Sequence, residues 1–199
     1  MVKLLMRFYD VNSGEIMVDG HNIKDFNRSE LREMFGMVLQ DTWLFSGTIA
    51  DNLKYGKPDA SEEQMLHTLS AAQADFVTEL PEGLSSHTAQ GGTNFSGGQK
   101  QRLAIARALM KKADLYIFDD SFSALDFKTD SALRKALKEE TKGAAVLIIA
   151  QRINTILNAD QIVVLNEGKI AGIGTHRELM EGCSVYQEIA KSQMRGGEE

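Results

Sequence analysis

Three short segments of this chain are almost entirely apolar, and segments with helical periodicity separate them along the sequence. The apolar segments span residues 115–118, 145–150 and 161–165. Strands that are apolar on both faces and alternate with helices are typical of a parallel sheet that helices cover on both sides. The sequence therefore predicts an α/β fold with a mostly parallel sheet.

Other segments have a regular local pattern. Helices are predicted over 3–8, 61–80 and 178–193, and a short strand over 15–19. Ser61 is the predicted N-cap of the second helix, with Gln64 three residues later as its capping-box partner.

A glycine-rich loop precedes the most regular helical pattern, which spans residues 99–110. The loop reads Ser96-Gly97-Gly98-Gln99. Exposed backbone N–H groups, a serine hydroxyl and the positive end of a helix together suit a phosphate group. A helix cap without a ligand is the alternative interpretation, and the specificity of the whole string argues against it.

Acidic residues follow the first apolar segment. Asp119 and Asp120 come directly after residue 118, and Asp126 closes the string SALD. A buried strand delivers a carboxylate to its C-terminal end, where the carboxylate can orient Mg²⁺ and its waters. Taken alone this pattern is common, and its spacing from the glycine loop makes it specific.

Together these strings resemble the signature motif, the Walker B strand and the D-loop of the ATP-binding cassette (ABC) family, and the resemblance covers nearly the whole chain. It implies a P-loop NTPase-like core with a mostly parallel sheet, plus a helical subdomain that carries the signature. It also implies one cassette domain over residues 1–199, with the helical subdomain at approximately 45–110. By the same resemblance, ATP and Mg²⁺ are the expected cofactors.

The resemblance implies a role for each motif residue. Asp119 would bind Mg²⁺, Asp120 would polarise the attacking water, and Asp126 would lie at a dimer interface. The signature residues would bind the γ-phosphate of an ATP molecule held by the opposite subunit; they are Ser96, Gly97, Gly98 and Gln99.

The segment that begins at Gln40 resembles the Q-loop of exporter-type cassettes. In that family the glutamine contacts Mg²⁺ or the attacking water, so Gln40 is predicted to belong to both the catalytic and the metal site. The residues Trp43, Leu44 and Phe45 would dock against a transmembrane domain. Core packing of Trp43 and Phe45 is the alternative, and their polar flanks favour an exposed docking surface.

The first departure from the family pattern concerns the phosphate-binding loop. No Gly-x-x-x-x-Gly-Lys-Ser/Thr string occurs in the 199 residues. Residues 1–9 look like the later part of the helix that should follow that loop, so an N-terminal truncation is expected. Loss of a central strand would leave neighbouring strand edges unpaired, and the chain alone is expected to be inactive.

Three further departures are single residues. Asp120 stands where hydrolytic members carry Glu, and its side chain is shorter by about 1.5 Å. By the resemblance, Gln151 belongs to the catalytic site, at the position of the switch histidine, where it can hydrogen-bond the γ-phosphate but cannot carry a proton. Gln90 replaces a glutamate before the signature. Because Asp120 and Gln151 affect the same ATP site while the signature is intact, the pattern predicts one half of a heterodimeric exporter.

The leading hypothesis is therefore an ATPase subunit of an ABC exporter. Its expected partners are a second cassette, for which a different chain is preferred over an identical one, and transmembrane domains that are normally fused upstream. The alternatives are a nucleotide-clamping subunit that does not hydrolyse ATP at its own site, and a soluble ABC-type ATPase of DNA repair or translation.

The charge and hydropathy of the sequence limit the partners that we expect for this chain. A net charge of −6 argues against a nucleic-acid partner, because such binding needs a positive surface. No apolar run approaches the roughly 18 residues that span a bilayer, so a partner or another segment must supply the link to the membrane. The expected location is the cytoplasmic face of the cell membrane, which fits a chain whose single cysteine is Cys183.

Overall fold

The computed structural model describes residues 1–195, which form two compact units. The first unit spans Met1–Leu147 and the second begins at Ile148. The helices are α1 (Val2–Leu5), α2 (Arg28–Glu33), α3 (Ile49–Lys54), α4 (Glu62–Ala71), α5 (Phe76–Glu79), α6 (Gly97–Met110), α7 (Phe127–Glu140), α8 (Ile153–Ile156), α9 (His176–Gly182) and α10 (Ser184–Arg195). The strands are β1 (Met17–Val18), β2 (His21–Asn22), β3 (Phe35–Val38), β4 (Gly47–Thr48), β5 (His87–Thr88), β6 (Leu115–Asp119), β7 (Ala145–Ile149), β8 (Ile162–Asn166) and β9 (Lys169–Gly174).

The central sheet has the strand order β3-β6-β7. Strands β3 and β6 pair in parallel, and Val38 lies opposite Phe118 at their carboxyl ends. Three residues of β6, Tyr116, Ile117 and Phe118, are buried, as their apolar sequence predicts. The predicted α/β class with a parallel sheet is confirmed.

Strand β7 stands at one end of this sheet. Its sequence is apolar throughout, yet Ala145 and Val146 are exposed, and Val146 keeps 44% of its surface. An apolar strand at a sheet edge presents backbone groups and side chains that another strand can cover. The described residues of the chain leave this edge of the sheet without such cover.

Helices dominate the first unit between residues 49 and 110. Helix α4 has the predicted N-cap Ser61 and its partner Gln64, which form a reciprocal capping box. The predicted helix over 61–80 is too long, because α4 ends at Ala71 and Gln73 adopts a left-handed backbone with φ 57°. The prediction of a single cassette with a helical subdomain at 45–110 stays a prediction.

The second unit consists of an antiparallel hairpin and three helices. Glu167 and Gly168, both with positive φ, form the two-residue turn between β8 and β9. The predicted helix over 178–193 is instead two helices, because Cys183 is extended and its side chain packs into the unit's core. That core contains Ile153, Ile162, Val164, Leu179, Cys183, Tyr186 and Ala190.

Predictions near the N-terminus are correct in type and wrong in extent. The helix predicted over 3–8 is the single turn α1, and Arg7 with φ 52° ends it. The strand predicted over 15–19 is limited to β1. Within residues 1–195, no helix is both long enough and apolar enough to cross a membrane.

Candidate functional site

The carboxyl ends of β3 and β6 bring together two residues that are 80 positions apart in the sequence. Gln40 follows β3, Asp120 follows β6, and the Gln40 Nε2 donates a hydrogen bond to the Asp120 Oδ2 at 3.4 Å. Asp119 is the last residue of β6 and is partly buried. The parallel register therefore places the predicted Mg²⁺ ligand and both predicted water-orienting side chains at one edge of the sheet.

Asp120 has a backbone conformation that is uncommon for its residue type. Its φ is 45°, in the left-handed region that residues other than glycine rarely occupy. Such conformations cost about 1–3 kcal/mol and persist where the surrounding structure imposes them. Here the next residue, Ser121, is fully buried, and its Oγ donates to the carbonyl oxygen of Val38 at 3.1 Å. This contact ties the ends of β3 and β6 together.

The signature residues form the N-terminus of α6. Ser96 is the N-cap, its Oγ accepts a hydrogen bond from the Gln99 N–H at 3.3 Å, and the Gln99 Oε1 accepts one from the Ser96 N–H at 3.0 Å. A Cβ added to Gly97 would meet nothing within 4 Å. A Cβ added to Gly98 would lie 3.2 Å from the carbonyl oxygen of Ala124, within the predicted D-loop. The first turn of α6 is therefore open to an approaching ligand at Gly97, whereas Gly98 is packed against the D-loop backbone.

Asp126 has a structural role that the sequence analysis did not assign. It is the N-cap of α7, where its Oδ1 accepts from the Thr129 N–H at 3.0 Å and its Oδ2 accepts from the Thr129 hydroxyl at 2.6 Å. The hydrogen bond from the Thr129 side chain holds the pKa of the Asp126 carboxyl below its usual range. Asp126 is exposed, which is compatible with the predicted interface.

The predicted docking segment is divided between core and surface. Leu44 is fully buried, whereas Trp43 and Phe45 keep 52% and 42% of their surface. Leu44 therefore packs inside the molecule, and the docking prediction is narrowed to the two aromatic residues. Asn52 fixes this turn, because its side chain exchanges two hydrogen bonds of 2.8 Å with the backbone of Phe45.

Helix α6 holds the same segment through two side chains that sequence analysis overlooked. The Thr42 hydroxyl donates to the Gln101 Oε1 at 2.6 Å, and an Arg107 Nη2 donates to the carbonyl oxygen of Trp43 at 2.8 Å. The Arg107 guanidinium also lies 5.6 Å from the centre of the Phe45 ring. Burial lowers the pKa of the Arg107 guanidinium. The sequence signal for a buried Gln101 is its spacing: it precedes the buried Ile105 by four residues and therefore lies on the same face of the helix.

The two other single-residue departures from the family pattern are Gln151 and Gln90. Gln151 belongs to the second unit, is exposed, and its carbonyl oxygen accepts from the Gln193 Nε2 at 2.6 Å. Gln90 is exposed and begins a short 3₁₀ turn in the first unit. The structure does not relate Gln151 to Asp120, so its predicted catalytic role stays a prediction.

The oxygen donors at the sheet edge fit Mg²⁺ bound together with a phosphate ligand. Within residues 1–195, no group of three or more His, Cys, Asp or Glu side chains could hold a metal by itself. Mg²⁺ typically takes one or two protein carboxylates and completes its shell with water and substrate phosphates. Asp119 with Gln40 matches that pattern. The open turn at Gly97 separately suits a phosphate group of another ATP molecule.

Comparisons with known proteins agree with this geometry. A family model described as "ABC transporter" matches residues 1–123. An uncharacterised ABC transporter ATP-binding protein of Mycobacterium tuberculosis is 44% identical over 196 residues, which are 97% of this chain and 34% of that protein. A protein of Staphylococcus aureus named as a proposed multidrug export ATP-binding/permease protein is 43% identical over 95% of this chain and 33% of its own length.

A solved structure has the same fold. It is a bacterial Atm1-family ABC exporter with ATP bound, and it matches with a TM-score of 0.94 at 36% identity. The match covers 97% of this chain and 34% of that one. The chain thus spans about a third of the length of the relatives it matches.

Proposed function

We propose that this chain, which belongs to the ABC transporter family, is the ATP-binding and ATP-hydrolysing cassette that powers a membrane exporter. The observation that carries the proposal is the contact between Gln40 and Asp120 beside Asp119, at the carboxyl edge of parallel strands. Family membership and the exporter with bound ATP support the same proposal.

Each residue at the sheet edge has a proposed part in ATP hydrolysis. Asp119 and Gln40 would hold Mg²⁺, which neutralises charge on the phosphates when it is bound. Asp120 would accept a hydrogen bond from the attacking water and take up its proton at a carboxylate oxygen. The bond from the Gln40 Nε2 orients that carboxylate in the absence of substrate.

The first turn of α6 is proposed to serve a second ATP molecule, held by a partner cassette. A Cβ at Gly97 would meet nothing within 4 Å, so a phosphate can approach the backbone N–H groups and the positive helix end at this turn. Because Ser96 and Gln99 already satisfy each other, they hold the turn in shape for the phosphate. Two ATP molecules would thus lie between two cassettes, each touched by both chains.

The partner cassette is proposed to be a different chain. Asp120 has a shorter side chain than the glutamate of hydrolytic members, and Gln151 replaces their switch histidine. The signature string is intact. This chain would therefore contribute carboxylates to a slow site and its signature to the active one. The nucleotide-clamping alternative is the limiting case, in which the slow site does not turn over at all. No finding favours the alternative of a soluble ATPase.

Transmembrane domains are the second proposed partner, with the cassette at the cytoplasmic face of the cell membrane. The half-exposed rings of Trp43 and Phe45 are the proposed contact. We further infer that residues 1–199 by themselves hydrolyse no ATP, because they contain no Gly-x-x-x-x-Gly-Lys-Ser/Thr string to wrap the phosphates.

The test uses the complete transporter in inside-out vesicles, with ATP hydrolysis and ATP-dependent uptake of a dye panel measured together. Phe45→Ala should retain most ATP hydrolysis and lose uptake, because the cassette turns over without moving the transmembrane domains. Leu66→Ala, which shortens an exposed leucine on α4, is the matched control and should retain both. Equal uptake by both variants would contradict the docking proposal, and a parent without ATP hydrolysis would contradict the function itself.

A further inference from the structure

The side chain of Gln101 is a buried polar group in the second turn of α6. It is 5% exposed, and its Oε1 accepts the Thr42 hydroxyl at 2.6 Å. No described residue of the chain pairs with its Nε2. Because the Thr42 hydroxyl can donate or accept, the contact persists whichever way the amide is oriented. A half-satisfied buried amide is more costly than an apolar side chain of the same size, so packing alone does not account for glutamine here.

The residue that Gln101 contacts lies between the catalytic and the docking parts of the same loop. Thr42 follows Gln40 by two positions and directly precedes Trp43. Its hydroxyl also lies 3.4 Å from the carbonyl oxygen of Leu39, at the end of β3. The second tie from α6, between Arg107 and the carbonyl oxygen of Trp43, holds the adjacent residue. Helix α6 therefore holds this segment at two consecutive residues.

The N-terminus of α6, close to Gln101, carries the signature turn. Ser96 precedes Gln101 by five residues, so the two lie about 7.5 Å apart along the helix axis. Helix α6 is 14 residues long and has a capping box at its N-terminus, so we expect it to move as one unit. A shift of the segment from Thr42 to Phe45 would therefore move the first turn of α6 as well.

We propose that Gln101 is a positioning residue, which links the docking segment to the signature turn through its hydrogen bond with Thr42. This inference rests on the proposed function, since it assigns a path by which a transmembrane domain on Trp43 and Phe45 sets the position of Ser96 and Gly97. The apolar face of α6 packs the helix against its neighbours. The hydrogen bond between Gln101 and Thr42 couples the position of the helix to the position of the docking segment.

The test compares variants of the complete transporter in vesicles. Thr42→Val removes the hydroxyl and keeps the shape, Thr42→Ser keeps the hydroxyl, and Gln101→Met removes the amide at similar length. Thr42→Val and Gln101→Met should each lower dye uptake per ATP hydrolysed by about 2- to 10-fold, the equivalent of one net hydrogen bond. Thr42→Ser should match the parent. The KM for ATP should not change in any variant.

The double variant Thr42→Val/Gln101→Met separates a positioning role from a structural one. It replaces both polar partners with apolar groups, so its thermal stability should equal or exceed that of the parent. Its uptake per ATP should be lowered to about the same level as in the single variants, because all three remove the same interaction. Parent-like coupling in the double variant would overturn the inference. A parent that hydrolyses no ATP would instead contradict the proposed function, so the two failures are distinguishable.

Discussion

Helices α4 and α6 begin with the same motif, a serine N-cap and a glutamine three residues into the helix. In α4 the Ser61 N–H donates to the Gln64 Oε1 at 3.2 Å, and the Gln64 N–H donates to the Ser61 Oγ at the same distance. In α6 the equivalent distances between Ser96 and Gln99 are 3.0 and 3.3 Å. Both helices thus satisfy the same backbone groups in the same way.

The residues between cap and glutamine differ in charge and in size. Helix α4 has Glu62 and Glu63 there, and their carboxylates stabilise its positive N-terminus. Helix α6 has Gly97 and Gly98, with no acidic residue in its first turn. One N-terminus supplies its own negative charge, whereas the other leaves its N–H groups to a ligand. The capping box therefore stabilises both helices, whereas the two glycines, which only α6 has at these positions, provide the proposed phosphate site.

The largest effect is predicted for arginine substitutions of the two capping serines, Ser96 and Ser61, which are made one at a time in the complete transporter. Ser96→Arg should lower ATP hydrolysis by about 10²–10³-fold, because a long side chain fills the proposed phosphate site and displaces preorganised donors. Ser61→Arg removes the same cap from α4 and should change hydrolysis little. Steady-state rates at saturating ATP measure both, so that weaker binding is not mistaken for slower chemistry. An equal loss in the two variants would mean that helix stability, rather than phosphate binding, explains the effect.

A smaller effect is expected when the first turn of α6 is made to resemble that of α4. Gly97→Glu should lower ATP hydrolysis by about 10-fold or more, because a carboxylate occupies the anion site. It should also raise the stability of the helix by about 0.3–1 kcal/mol, since the charge complements the helix dipole. The added side chain meets no atom of this chain within 4 Å of its Cβ.

Gly97→Gln is the control for size without charge and should lower hydrolysis less than Gly97→Glu does. Thermal unfolding and ATP hydrolysis are measured on the same preparations. If Gly97→Glu keeps parental hydrolysis, the open turn of α6 is not the phosphate site, and the comparison with α4 loses its functional meaning.

The smallest effect is predicted for the carboxylate at the sheet edge. Asp120→Asn should leave turnover of the complete transporter within about threefold of the parent, because the site that Asp120 serves is proposed to be slow. Single-turnover measurements at each of the two ATP sites check this. If Asp120→Asn is as damaging as Ser96→Arg, Asp120 is an adequate base. The chain's own site is then the working one, and a symmetric homodimer becomes the better interpretation.

Local sequence patterns were sufficient for the elements that local forces decide. The capping box at Ser61, the helix after Ser96 and the buried strand before Asp119 are all where the pattern predicts them. Each depends on contacts within a few residues, or on burial of a uniformly apolar run. The same patterns predicted helices that are too long in two places. Helix α4 ends at Ala71, shortly before the left-handed residue Gln73. The predicted C-terminal helix is interrupted at Cys183, because this side chain packs into the core.

The sequence by itself determined the family, because the motif residues are short strings whose spacing is specific. Only the tertiary structure decided which residues meet. The pairing of β3 with β6 brings Gln40 to Asp120, and the packing of α6 brings Gln101 to Thr42. Only the structure shows, likewise, that Leu44 is buried while its neighbours Trp43 and Phe45 are exposed. Contacts between residues 59 or 80 positions apart depend on strand register and helix packing, which no local pattern encodes.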